Sequence, residues 1–352
     1  MSPDELAAEL LTAVFAADPL AGSLYGFPGH DDLLPDFSAA AETEQARALV
    51  SIAARAEQMP EDGLEESELQ TLDFVRNLAR GMADAAAVPM IEFTISDTFV
   101  APISSVLTML PKLQLDTAER RDGYLARLRG IPAMVTTAAQ RHNEGTAAGR
   151  TAVARLVEAA IAQLDLLVED PTVGAILRPD LDDEAFAWEV SAAGEEFVRP
   201  ALASYRDALR SDVLRSARDD AHPGLCFLPD GEAMYGAMVR LHTSMSRSPD
   251  ELHAMGREII GQVRQELTET GARLFDTTDV ARIFDRLSND PALRYRDRDE
   301  MLEHARRAVA AAEAAAPQWF AAVPDEPCAV QPVPEAEEAG MAAAYYLPGA
   351  ID

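Results

Sequence analysis

At 352 residues and 48% hydrophobic composition, the chain is long and apolar enough to bury an ordinary globular core, which excludes a disordered segment. Its 60 acidic residues against 30 basic ones leave a net charge of −30, a surface that repels phosphate backbones and anionic lipid, so neither nucleic acid nor a membrane is an expected partner. Met1-Ser2-Pro3-Asp4-Glu5 carries no basic segment ahead of an apolar one, and no apolar run nears the roughly 20 residues that cross a bilayer, so a cytoplasmic protein is expected.

The first helix is announced by Ser2 and Glu5, which form a capping box around Pro3 at the first helical position; Leu6, Leu10, Val14 and Phe15 line one face. Asp18-Pro19 stops it. Gly22 to Ser38 reads as an irregular surface loop pinned by Tyr25, Phe27 and Phe37. Glu42 to Ala83 reads as two antiparallel helices joined by a turn at Met59-Pro60-Glu61-Asp62-Gly63. Ile91 to Pro111, with its β-branched and aromatic residues and Pro102, predicts a loop and a short helix close to the core.

Asp116 and Glu119 suggest a second capping box, opening a helix that ends at Arg129-Gly130-Ile131-Pro132, with a new helix beginning at Pro132. Gly145 and Gly149 precede another, carrying Leu156, Ala160, Gln163 and Leu164 and ending before Pro171. Asp180 to Arg215 is a longer helical region that Pro200 kinks or restarts. The cluster Asp219, Asp220, Pro223 and Gly224 marks a boundary, giving an expected division into 1–222, a second helical subdomain at 223–320 and a Pro-rich extended segment at 321–352. Within the second part, Leu252, Met255, Ile259, Val263 and Leu267 share one helix face, and a last helix runs from about Asp299 to Ala316. Ala329 to Val333 and Met341 to Leu347 look extended. The fold class is mainly α: a multi-helix, cleft-forming scaffold with a short extended or β segment near the C-terminus.

No complete catalytic constellation accompanies these helices. A zinc hydrolase helix offers two histidines four apart with a glutamate beside the first, yet His30, His142, His222, His242, His253 and His304 are each isolated in sequence. A Gly-rich phosphate loop and a serine nucleophile elbow are also missing. Carboxylate pairs such as Asp182-Asp183 and Glu195-Glu196 are expected on solvated faces of so acidic a chain. Cys226 and Cys328, too few for a disulfide framework, read as packing thiols.

Three linked blocks carry a resemblance: Leu228-Pro229-Asp230-Gly231-Glu232-Ala233-Met234-Tyr235, then Arg240-Leu241-His242-Thr243, then Ser248-Pro249-Asp250-Glu251-Leu252-His253-Ala254-Met255-Gly256. In order and spacing they resemble the bacterial domain of unknown function 885 family. Asp18-Pro19, Tyr25-Gly26, Leu34 to Ser38, and Pro332-Val333-Pro334 followed by Tyr345-Tyr346-Leu347-Pro348 fit more loosely. The resemblance implies a helical, cleft-shaped zinc metallopeptidase-like protein in which an H-E-x-x-x-H-H-type motif and a later glutamate hold the metal. Those groups lie beyond the tyrosine-proline segment, so zinc is expected only in a complete member and none of these residues is a metal ligand or catalytic group.

The chain is thus read as the N-terminal helical part of a peptide hydrolase, its partners a peptide substrate or a missing catalytic half. Tyr345, Tyr346, His242 and Thr243 are its candidate cleft-lining residues. The alternative is a non-catalytic helical binding or interaction module.

Overall fold

The computed structural model describes residues 2–169, 183–332, 344 and 346. It is mainly helical, and among the described residues the one β feature is an isolated parallel bridge between Val153 and Arg218. The chain divides into two compact units, one running through Pro249 and the other spanning Asp250–Pro348.

In the first unit, α1 (Pro3–Ala17) begins with both bonds of the capping box, Ser2 Oγ accepting from the Glu5 amide at 3.2 Å and Glu5 accepting from the Ser2 amide at 2.7 Å. It packs on the hairpin of α3 (Ala39–Gln58) and α4 (Glu66–Ala85), and Leu6, Leu10, Leu49, Ile52, Leu72 and Val75 form a core of their own. Between α1 and α3 lies a short helix, α2 (Pro19–Leu24), followed by the expected loop. Phe15 holds Phe27 at a ring distance of 4.6 Å and Tyr25 at 6.0 Å. The main anchor, however, is Arg127, 2% exposed, which donates to the carbonyls of Leu33 (2.8 Å), His30 (2.6 Å) and Pro19 (3.3 Å) and to Ser23 Oγ (2.7 Å).

Arg127 belongs to α7 (Ala118–Ala147), which follows α5 (Met90–Phe93) and α6 (Pro102–Met109). Two expectations fail here. Thr117, not Asp116, caps α7 by accepting from the Arg120 amide, while Asp116 pairs with the Arg120 guanidinium at 2.8 Å. The helix also continues unbroken through Pro132. Burial of Leu128, Ile131, Met134 and Val135 outweighs the hydrogen bond that proline removes.

Next come α8 (Ala154–Glu169), α9 (Glu184–Ala193) and α10 (Arg199–Ala208), packed with α7 around the largest core, which includes Val157, Ile161, Leu164, Val190, Leu202 and Tyr205. A π-helical turn at Gly194–Val198 joins α9 to α10 just ahead of Pro200. That is where the sequence expects a kink, and widening the turn accommodates a residue with no amide proton.

The boundary expected at 222–223 falls inside the first unit. Arg218 ties the Asp-Pro-Gly cluster down by donating to the carbonyls of His222 (2.9 Å) and Pro223 (3.1 Å) and to that of Thr151, and its backbone bridges Ala152 and Ala154. Beyond it, α11 (Gly231–Thr243) packs against α4 so closely that a side chain at Gly81 would meet the Leu241 Cα at 3.0 Å.

The second unit holds α12 (Pro249–Phe275), α13 (Val280–Asn289) and α14 (Arg298–Ala315). Ile283 is buried beside Gly271, but the predicted apolar face of α12 leaves Met255, Ile259 and Val263 exposed. Residues 329–332 join neither a helix nor a strand; Val333, Met341–Ala343, Tyr345 and Leu347, parts of the expected extended segment, lie outside the described residues. Cys226 and Cys328 are both exposed, so neither is the packing thiol expected.

Candidate functional site

A groove of about 550 Å³ opens in the first unit, a size within the range of ordinary ligand sites. One wall is the end of α4 and the lead into α5, with Ala83, Asp84, Ala87, Val88, Pro89 and Glu92. The other is α11, with Asp230, Ala233, Met234, Ala237 and Arg240; Arg150 completes the lining. An internal cavity beside His142 and Tyr205 measures about 10 Å³, room for about one water and no organic substrate.

The α11 wall is shaped by the first of the three sequence blocks. A one-turn helix at Leu225–Phe227 leads to Leu228, whose amide bonds the Leu225 carbonyl at 2.8 Å. The chain then reverses through Asp230, held in the left-handed region at φ 57°, so that Gly231 presses against the preceding turn. A Cβ on Gly231 would sit 1.7 Å from the Leu225 carbonyl oxygen, so glycine is needed for close approach rather than for its φ. Leu228, Met234 and Ala237 then pack with Val88 and Phe93, fixing α11 to the opposite wall.

Two Arg–carboxylate pairs border the groove. Arg240 Nε donates to Asp84 Oδ2 at 2.7 Å, joining α11 to α4. Arg150 Nε donates to Glu92 Oε2 at 2.6 Å, and the other Glu92 oxygen accepts from Arg141 at 3.0 Å. Glu92 is buried, admitted by Gly145, where a Cβ would come within 2.6 Å of the Glu92 Cβ. Arg141 also meets Glu42 at 2.7 Å. Burial raises the Glu42 pKa above the usual carboxylate value in spite of that contact, whereas for Arg141 the hydrogen bonds to Glu42 and Glu92 more than offset burial and the pKa is raised. Behind the groove, His142 Nε2 lies 2.8 Å from the Tyr205 hydroxyl, and burial lowers the His142 pKa to about 4, keeping it neutral.

None of the sequence-predicted site residues lines this groove among the described residues. His242 is exposed on the last turn of α11, outside the groove lining. The Thr243 hydroxyl donates to the Val239 carbonyl at 2.7 Å and accepts from the Met245 amide at 3.2 Å, which finishes the helix. Tyr346 is exposed in the second unit, and Tyr345 lies outside the described residues. Sequence reasoning missed Asp84, Glu92 and Arg150, which sit in no motif; Asp230, Ala233, Met234 and Arg240 were inside the quoted blocks. Among the described residues, no three of His, Cys, Asp and Glu are grouped so as to hold a metal ion.

Fold and groove together define a mainly helical scaffold with a mixed-charge groove. The chain belongs to the family described as bacterial protein of unknown function (DUF885), whose model matches residues 19–352. No curated protein matches it. A solved structure described as the putative lipoprotein from Colwellia psychrerythraea has the same fold, with a TM-score of 0.81 at 18% identity over 99% of this chain and 66% of that one. The chain therefore spans about two thirds of the length of that protein. Among the described residues, no helix is long and apolar enough to cross a membrane.

Proposed function

We propose that this chain supplies one helical wall of the substrate cleft in a metallopeptidase-like protein, binding peptide in the α4–α11 groove without cleaving it alone. The observation that carries this reading is the groove itself, one wall of which, with Asp230, Ala233, Met234, Ala237 and Arg240, lies within the part of the chain that the family model matches. Its small apolar wall residues suit an extended chain, and its borders are fixed by ion pairs. The described residues do not fit a zinc ion, and no step is routed through one. The cytoplasmic placement belongs to the same proposal.

The alternative, a self-sufficient binding module, uses the same groove. Reading the coding sequence past codon 352 separates the two: an H-E-x-x-H-type continuation supports the first, and its absence favours the second. Peptide binding itself is testable by methionine-methyl NMR, because Met234 lines the groove while Met301 lies in the second unit. A neutral tetrapeptide should shift the Met234 methyl signal and leave Met301 unmoved; no response at Met234 would remove the proposal.

A further inference from the structure

We propose that the groove selects a peptide segment carrying a positive charge, with Asp230 as the carboxylate that receives it; this rests on reading the groove as a peptide cleft. Three carboxylates (Asp84, Glu92, Asp230) and two guanidiniums (Arg150, Arg240) line it, a net charge of −1. Both arginines are already engaged, Arg240 with Asp84 at 2.7 Å and Arg150 with Glu92 at 2.6 Å. An anionic ligand would have to break one of these pairs, and the Arg150 pair is shared with buried Arg141 through Glu92.

Asp230 differs from the other two acids. It occupies the N-cap position of α11, where an aspartate ordinarily accepts from the helix's free amides, but its side chain makes no capping bond. Its backbone is left-handed at φ 57°, and the next residue, Gly231, lies tight against the Leu225 carbonyl. Among the described residues, no cation pairs with it. The Asp230 carboxylate thus stands at the groove with its charge uncommitted, among the apolar wall residues Ala83, Ala87, Val88, Ala233, Met234 and Ala237, against which a short side chain or a backbone segment can lie. The chain's net charge of −30 draws cations to this surface from a distance.

The test uses the full chain at about 20 mM salt, where exposed charges are weakly screened. Three acetylated tetrapeptide amides, Ala-Ala-Arg-Ala, Ala-Ala-Gln-Ala and Ala-Ala-Glu-Ala, are titrated while the Met234 methyl signal is followed. The arginine peptide should bind about three- to five-fold tighter than the glutamine one, the increment of one solvated ion pair, and the glutamate peptide should bind most weakly. Asp230→Asn keeps a residue tolerant of the left-handed region, so the turn survives while the charge goes. In this variant the preference for arginine over glutamine should vanish, whereas Glu66→Gln, on the exposed first turn of α4 and outside the groove, should leave the preference intact.

Ala233→Trp, which fills the groove from an exposed position, should abolish binding of all three peptides. Equal affinities that Ala233→Trp nevertheless abolishes would overturn the charge selection and leave the cleft reading standing. A preference that persists in Asp230→Asn would overturn the role of Asp230. Failure of every peptide to move Met234 would sink the cleft reading and this proposal with it.

Discussion

The buried His142 makes the first unit sensitive to mild acid. His142 is 1% exposed, its Nε2 is committed to the Tyr205 hydroxyl, and burial lowers its pKa from 6.5 to about 4. Between those two pH values the unfolded chain holds a proton on this residue and the folded chain does not, so stability must fall as pH drops through that window. A shift of this size corresponds to an order of 3 kcal/mol, a large share of the stability of an ordinary domain. The assay is urea unfolding at a series of pH values, read by Trp188 fluorescence in a Trp319→Phe background so that only the first unit reports. His142→Gln retains a hydrogen-bonding partner for Tyr205 but does not titrate. Its stability should change less between pH 6.5 and 4 than that of the unmodified chain, by a difference on the order of 3 kcal/mol. Identical pH slopes for the two proteins would refute the assignment of a neutral, desolvated His142.

Arg127→Ala should destabilise the same unit by about 4 kcal/mol, because it strands three backbone carbonyls and the Ser23 hydroxyl around a buried site. Arg127→Lys should recover only part of the loss, since an ammonium lacks the planar fork that reaches four acceptors; full recovery in urea unfolding would show that charge alone suffices. Gly231→Ala should disrupt the groove rim, its Cβ colliding with the Leu225 carbonyl. A loss of peptide response at Met234, together with a lowered unfolding midpoint, is the expected readout, and wild-type behaviour in both would contradict the close packing of that turn.

Helices whose ends are written in local chemistry were legible in the sequence. The Ser2–Glu5 box and the 59–63 turn needed only neighbours a few residues apart, and both stand as expected. Elements decided by distant partners were not. Pro132 reads as a break until Ile131 and Val135 are seen buried on either side of it, and the 219–224 cluster reads as a boundary until Arg218 is seen holding it to Thr151. The cleft divides the same way. Asp230 and Gly231 lie in the first of the recognisable blocks and Arg240 in the second, so the segment was visible though the side chains that line the groove were not singled out. Asp84, Glu92 and Arg150 become neighbours of that block only through the packing of α11 on α4 and α5, which no spacing along the chain encodes.

Photo-crosslinking tests most directly whether peptide occupies the α4–α11 groove. A neutral tripeptide bearing a benzophenone side chain, irradiated with the full chain and mapped by mass spectrometry, should label residues 83–89 and 230–237. That labelling should be lost in Ala233→Trp. Label spread evenly over the chain, or confined to residues 250–332, would rule out peptide binding in this groove.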